Sequence, residues 1–193
     1  MPQAAQLALD AFKQIQAQDP NLVADRGRQR PKCLVEAERL SAWISRIEPE
    51  PSMALSLAAY CQHLRRWEVP RSSAPAGRKG YIAWRTSLSK YHAEKAGEVL
   101  RGLGYQPELI EAVQRINLKK GLGQPSDAQT MEDALCLAFL EFDLGAFAAK
   151  HSTEQVIDVI RKTWSKMSER GRGYARQIEL AGDEAALLAA ALE

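Results

Sequence analysis

The chain has 193 residues, 46% hydrophobic and 26% charged, which is the length and make-up of one ordinary globular domain. A formal net charge of +2 excludes a global polyanion-binding field, and no apolar stretch reaches the roughly 18 residues of a membrane span. Cys33, Cys61 and Cys136 are far apart, so they fit free thiols in a reducing cytoplasm better than a disulfide framework.

Met1 to Asp10 has no basic n-region and no long apolar run, so no secretory signal is expected. The first predicted helix covers 4–18, with Leu7, Phe12 and Ile15 as its larger apolar residues, and Asp19-Pro20 stops it. Residues 19–33 are polar and rich in breakers, which predicts a loop. A helix over about 34–48 carries Leu40, Trp43, Ile44 and Ile47 on one face, and Pro49 and Pro51 end it. The next, about 52–67, sets Met53, Leu57, Tyr60, Cys61, Leu64 and Trp67 on a 3.6-residue stripe.

A loop over 70–80 leads to a fourth helix, about 81–102, with Leu88, Tyr91, His92, Val99 and Leu103 inward and Gly102 and Gly104 closing it. A fifth covers about 107–119. The sixth, about 127–142, is apolar nearly all round and reads as the buried central helix. Ser152 and Gln155 form a capping box for a seventh, about 153–169, which Gly171 and Gly173 break. A short Ala/Leu-rich helix, about 182–192, ends the pattern. The reading is all-α, a single helical domain over 1–193 with about seven to eight helices and a core over about 34–169.

Charge is unevenly spread. Residues 61–120 hold twelve Lys/Arg against five Asp/Glu, which suggests a local anion site in a near-neutral protein. Seven of these bases fall from Arg65 to Lys90 against the single acid Glu68, interleaved with Trp67, Tyr81 and Trp84. Guanidinium forks suit phosphate, so Arg66, Arg71, Arg78 and Arg85 are candidate substrate-binding residues. The competing reading is a solvated basic loop whose tryptophans belong to the core.

His63 sits at the edge of the third helix's stripe, with Arg66 one turn on. His92 lies within the fourth helix's stripe, with Lys95 on the same face. Asp133 lies one turn before Leu137 on the central helix. A buried carboxylate needs a partner or a metal, and two imidazoles with one carboxylate suit Zn, Mn, Fe or Ni. His63, His92 and Asp133 are therefore candidate ligands of one divalent metal ion. The plainer alternatives are hydrogen-bonded core histidines and a Thr130-x-x-Asp133 cap. His151, beside the cap at Ser152, reads as exposed and is set aside.

The segments CQHLRRWEVPRSSAPAGRKGYIAWRTSLSKYHAEKAGEVL, MEDALCLAFLEF and RKTWSKMSERGR closely resemble the family labelled "domain of unknown function 4202", over about residues 4–192. The order of His63, His92 and Asp133 is similar to that of the HD superfamily of helical metal-dependent phosphohydrolases. That superfamily uses a first His, a His-Asp pair and a distant Asp; here position 93 is Ala. The resemblance implies an HD-domain-like bundle whose metal activates water. The substrate would be a nucleotide or small phosphate ester, with Lys95 or Glu132 moving protons. The alternative is a non-catalytic nucleotide- or RNA-binding module using the basic 65–85 segment.

Overall fold

Apolar residues recurring every three to four positions fold most of the chain into helices around one core. The computed structural model describes residues 3–124 and 126–193. Readings that fall on Met1, Pro2 and Pro125 lie outside the described residues. Helix α1 (Gln3–Gln16) buries Leu9 and Phe12; Leu7 faces water. Among the described residues no helix is long and apolar enough to cross a membrane.

The predicted loop over 19–33 contains a hairpin. Strands β1 (Leu22–Asp25) and β2 (Arg28–Pro31) pair antiparallel, Leu22 opposite Pro31 and Asp25 opposite Arg28. Arg26 and Gly27 both take positive φ, 49° and 75°, as a two-residue turn matched to strand twist requires. Helix α2 (Lys32–Ile47) follows at once. Its first turn is held by Asp19, whose carboxylate accepts from the Cys33 N–H at 3.0 Å. Arg30 bridges Asp25 and Glu38, each at 2.8 Å, and so fastens the hairpin to α2.

Ser52 caps helix α3 (Met53–Cys61), accepting from the Leu55 N–H at 3.0 Å. The helix stops at Cys61 instead of continuing to 67. Two short 3-10 turns, Arg66–Glu68 and Arg71–Ser73, lead into α4 (Gly77–Gly102). This helix begins four residues earlier than the predicted 81, and the preceding loop packs back on it. A Cβ at Gly80 would lie 2.0 Å from the Pro75 carbonyl oxygen, so only glycine allows that approach. Helix α5 (Pro107–Asn117) packs on α4 and α3.

The central helix is two helices joined by a wide turn. Helix α6 (Asp127–Ala138) passes through a π-helical turn, Phe139–Asp143, into α7 (Leu144–Ala148). Its cap is Ser126, accepting from the Gln129 N–H at 3.3 Å, and not Thr130. Helix α8 (Thr153–Lys166) carries the predicted Ser152–Gln155 capping box. Gly171 and Gly173 do not break it. Met167 does, and both glycines lie inside a further helix, α9 (Glu169–Ala175). Helix α10 (Gly182–Leu192) packs on α8. Helix α6 contacts α2, α3, α5, α8 and α9. Its fully buried Met131 and Leu137 each contribute about 1.5–3 kcal/mol by leaving water.

Candidate functional site

Two cavities flank α6, and they differ in chemistry. The smaller is a cleft of about 350 Å³ between α2, the turn after α3 and the π-turn with α7. Helix α2 supplies Lys32, Glu36 and Arg39; the turn supplies His63 and Arg66. The opposite wall carries Phe139, Phe142, Asp143 and Phe147, with Lys150 and His151 at one end. Four bases and two acids thus line a small space with an aromatic side.

Local backbone geometry builds each wall. After Cys61 the chain reverses through Arg65, a non-glycine residue at φ 55°. Such a conformation costs on the order of 1–3 kcal/mol and persists only where its surroundings hold it. The reversal brings His63 and Arg66 to one wall. Across the cleft, the π-turn adds a residue to the helical repeat and so shifts which side chains face inward, a feature frequent at functional sites. Phe142 and Asp143 end that turn. The Arg39 guanidinium stacks on the Phe142 ring, 4.2 Å from its centroid.

The cleft's central contact is between His63 Nδ1 and Glu36 Oε2, 3.2 Å apart. Both atoms are sealed from water, yet neither completes a hydrogen bond. Arg39 Nε is in the same condition. Seven buried side-chain atoms among the described residues lack a partner, and these three line this one cleft. Buried polar atoms left unmatched are costly, so their concentration marks a place shaped for something other than packing.

Electrostatics follow from the same geometry. Burial alone would raise the Glu36 carboxyl, but contact with His63, then the charges of His63, Arg66 and Lys32, outweigh it and hold it down at about 2. Asp143 lies at the open rim. Partial enclosure, then the negative charge of Glu36, push its carboxyl up. One carboxylate is held ionised and another is biased toward its acid form, an arrangement that divides base and acid roles. Burial pushes the thiols of Cys33, Cys61 and Cys136 up, so none is an activated nucleophile.

The histidines expected as metal ligands are neighbours, with ring centroids 6.2 Å apart. His92 is 3% exposed, and its Nδ1–H donates to the Leu64 carbonyl at 2.7 Å. Burial, then the nearby His63 charge, press its pKa down to about 3. It is a neutral ring that steadies the turn carrying His63.

Asp133 is not with them. It lines the larger cavity, about 970 Å³, on the other side. Its carboxylate accepts from the Ser168 N–H at 2.8 Å, from the Ser168 hydroxyl, and from Gln129 Nε2 at 3.0 Å. A Cβ at Gly171 would lie 2.7 Å from Asp133 Cγ. Asp133 therefore joins α6 to the start of α9, where Ser168 caps the Gly171 N–H at 3.1 Å. His63, His92 and Asp133 do not fit one ion. Among the described residues no group of three or more His, Cys, Asp or Glu is disposed to hold a metal.

The other expected residues divide similarly. Arg66 lines the cleft. Arg71 donates to the Ala74 and Pro75 carbonyls, each at 2.9 Å, and so clamps the loop before α4. Arg78 and Arg85 are exposed on α4, Arg85 donating to the Tyr81 hydroxyl at 3.2 Å. Lys95 pairs with Glu98 at 2.8 Å, and Glu132 pairs with Lys119. Neither Lys95 nor Glu132 lines the cleft.

A family model described as Domain of unknown function (DUF4202) matches residues 6–188. The chain belongs to that family. No curated protein and no solved structure matches it.

In this DUF4202 chain Glu36 and Asp143 are cleft residues that the sequence reading does not name, and His151 is one that it sets aside. Glu36 carried a signal. It stands four residues before Leu40 and seven before Trp43, which puts a carboxylate on the inward stripe of α2. His151 is exposed as expected, yet its ring stacks on Phe147 at 3.9 Å between centroids at the cleft's end. Asp143 had no such signal, because its direction depends on the π-turn.

Proposed function

We propose that this chain is a divergent, HD-like phosphohydrolase that acts on a nucleotide or small phosphate ester in the Glu36–His63 cleft. The observation that carries the reading is the unmatched pair, Glu36 Oε2 against His63 Nδ1 at 3.2 Å, in a lining where bases outnumber acids. A carboxylate beside one imidazole nitrogen orients the ring and offsets the charge it gains. The ring's other nitrogen is then the base that takes a proton from water. That water attacks phosphorus, and the bond from phosphorus to the leaving oxygen breaks. The Asp143 carboxyl protonates the leaving oxygen, and solvent returns the proton from the imidazolium to Asp143. Lys32, Arg66 and Lys150 hold the phosphoryl oxygens and offset developing charge.

The divalent ion implied by the resemblance (Zn, Mn, Fe or Ni) has Glu36 and His63 as its nearest matching donors here. That is two in place of three, so the cleft's own acid and base groups carry the reaction. Free, buried Cys33, Cys61 and Cys136 fit a reducing, cytoplasmic setting.

The test is phosphate release from a panel of nucleotides and small phosphate monoesters, with and without added Mn²⁺ or Zn²⁺, by the parent, Glu36→Gln and His63→Gln. Loss of an acid–base group lowers kcat by about 10²–10⁴-fold, and thermal melts establish that each variant is folded. No release from any ester under either condition, or equal release by all three proteins, sinks the reading.

A further inference from the structure

Arg66 on the cleft wall begins a row of alternating cations and rings. The Arg66 guanidinium lies 5.7 Å from the Trp84 centroid. Arg71 lies 5.9 Å from Trp84 and 6.0 Å from Tyr81, and Arg85 lies 5.9 Å from Tyr81. The order Arg66, Trp84, Arg71, Tyr81, Arg85 begins at the cleft wall and ends on the free part of α4. Trp84 is the hub: it is 7% exposed, and its indole N–H donates to the Val69 carbonyl at 3.2 Å.

The helix it lies on is poorly covered. From 77 to 90 only Trp84 and Leu88 are buried. Tyr81 and Ile82 are 43% and 53% exposed, beside Arg78, Lys79 and Arg85. No acid occurs between Glu68 and Glu94. The flanking bases are neutralised, Arg65 by Glu68 and Lys95 by Glu98. Among the described residues Arg71, Arg78, Lys79, Arg85 and Lys90 form no ion pair. The acid against this helix, Glu68, is already held by Arg65 and Tyr91, so the exposed cations are left to attract an external polyanion.

We propose that this arm is a track for single-stranded nucleic acid, and that the cleft takes a phosphate carried by such a strand. The second part rests on the cleft reading above; the first does not. Guanidinium and ammonium groups track a phosphate backbone, and Tyr81, flanked by Arg71 and Arg85, offers a ring face on which an unpaired base stacks. An acidic protein segment would meet the charges but would leave Tyr81 without a matching group.

The test is fluorescence anisotropy on the whole protein. The probes are a labelled single-stranded RNA of about 12 nucleotides, within typical site sizes, the matching DNA, the RNA duplex and a poly-glutamate peptide. Salt is varied from about 50 to about 200 mM. Single strands should bind, and log Kobs should fall with log salt. The doubly substituted Arg78→Ala, Lys79→Ala protein should lose about 1.4 of that slope, at about 0.7 per phosphate contact on a single strand. Tyr81→Ala should bind at least fivefold more weakly, since one base stack contributes at least that factor. Both variants should melt as the parent does. RNA and DNA binding alike points to the backbone, while RNA alone points to an added hydroxyl contact; either supports the track.

Equal or tighter binding of the duplex or of poly-glutamate overturns it, as does binding that neither variant changes. Phosphate release from mononucleotides without strand binding sinks the track and leaves the cleft reading intact. Strand binding that responds to the variants, with Glu36→Gln releasing phosphate as the parent does, sinks the cleft reading and leaves the track.

Discussion

The cavities on either side of α6 each hold a carboxylate, Asp133 buried and Glu36 half-buried, and the two carboxylates are treated oppositely. Asp133 has all its partners. Ser168 and Gln129 supply three donors, and Gly171 leaves room for the joint. Glu36 has charges around it and an unaligned imidazole at 3.2 Å, but its Oε2 has no hydrogen bond. A satisfied buried acid is architecture, because removing it orphans its donors. An unsatisfied one, sealed beside an imidazole in the wall of an open cleft, can act only through that ring. The larger cavity thus holds the more finished structure, and the smaller holds the unmatched polar atoms.

The largest effect that would test this contrast is at the joint. Asp133→Ala leaves the Ser168 N–H, the Ser168 hydroxyl and Gln129 Nε2 without their acceptor. At about 1–3 kcal/mol for each unmatched group, with solvent relieving part of it, a loss of about 3 kcal/mol is expected. For a chain of this length that lowers Tm by about 6–12 °C. Gly171→Ala strikes the same contact from the other side and should destabilise in the same direction. The two losses should add incompletely, because they remove one joint. Phosphate release per folded molecule should be unchanged in both. A melt near that of the parent would mean that Asp133 is not the anchor its contacts describe.

A second effect, read through pH, belongs to Glu36 and to His92 behind it. His92 is held neutral to about pH 3, against an ordinary value of 6.5. Between those values the unfolded chain binds a proton that the folded one does not, so stability falls as pH drops below about 6.5. Glu36 is held ionised to about 2, against 4.5. Its contribution is complete above about 4.5 and is lost as pH falls toward 2. The two act in the same direction over adjoining windows. Urea midpoints at closely spaced pH values should therefore show one decline from about 6.5, steepening below about 4.5. His92→Gln should remove the upper part and Glu36→Gln the added steepness. A midpoint flat from pH 6.5 to 4.5 in the parent would contradict the buried, neutral His92.

The division between what could and could not be read from the sequence follows the range of the forces. Periodicity located α2, α3, α5 and α8, because a 3.6-residue stripe is local. It also put His92 and Asp133 inside, where both are found at 3% and 2% exposure. It did not provide their partners, since Ser168 lies 35 residues beyond Asp133. The hairpin was hidden because its strands are four residues long and Arg28–Pro31 has no apolar alternation, although Gly27 was a usable turn signal. The π-turn changes one hydrogen-bond step within a continuous apolar run, so nothing in the residue pattern records it. Glu36 is legible on its stripe, but one inward carboxylate is a weaker signal than the metal pattern suggested by His63, His92 and Asp133.

The smallest expected effect separates two arginines that the sequence treats alike. Arg71 donates to the Ala74 and Pro75 carbonyls at 2.9 Å, and those carbonyls belong to the loop that packs on Gly80. Arg71→Ala should cost about 1 kcal/mol, because charge-assisted bonds at a partly exposed site are lost and water replaces them imperfectly. Arg78 is exposed in the first turn of α4, where a cation opposes the helix dipole. Arg78→Ala removes that opposition and gains helix propensity, so the change in stability should stay within about 0.5 kcal/mol and lean toward stabilisation. Anion binding should rank them the other way. Arg78 has its full set of donors to offer a phosphate, while Arg71 has two committed to the loop. Melts and a phosphate-ligand titration on both variants give the two rankings. If Arg78→Ala destabilises more than Arg71→Ala, or binds anions as the parent does while Arg71→Ala does not, the loop clamp and the open cation have been assigned in reverse.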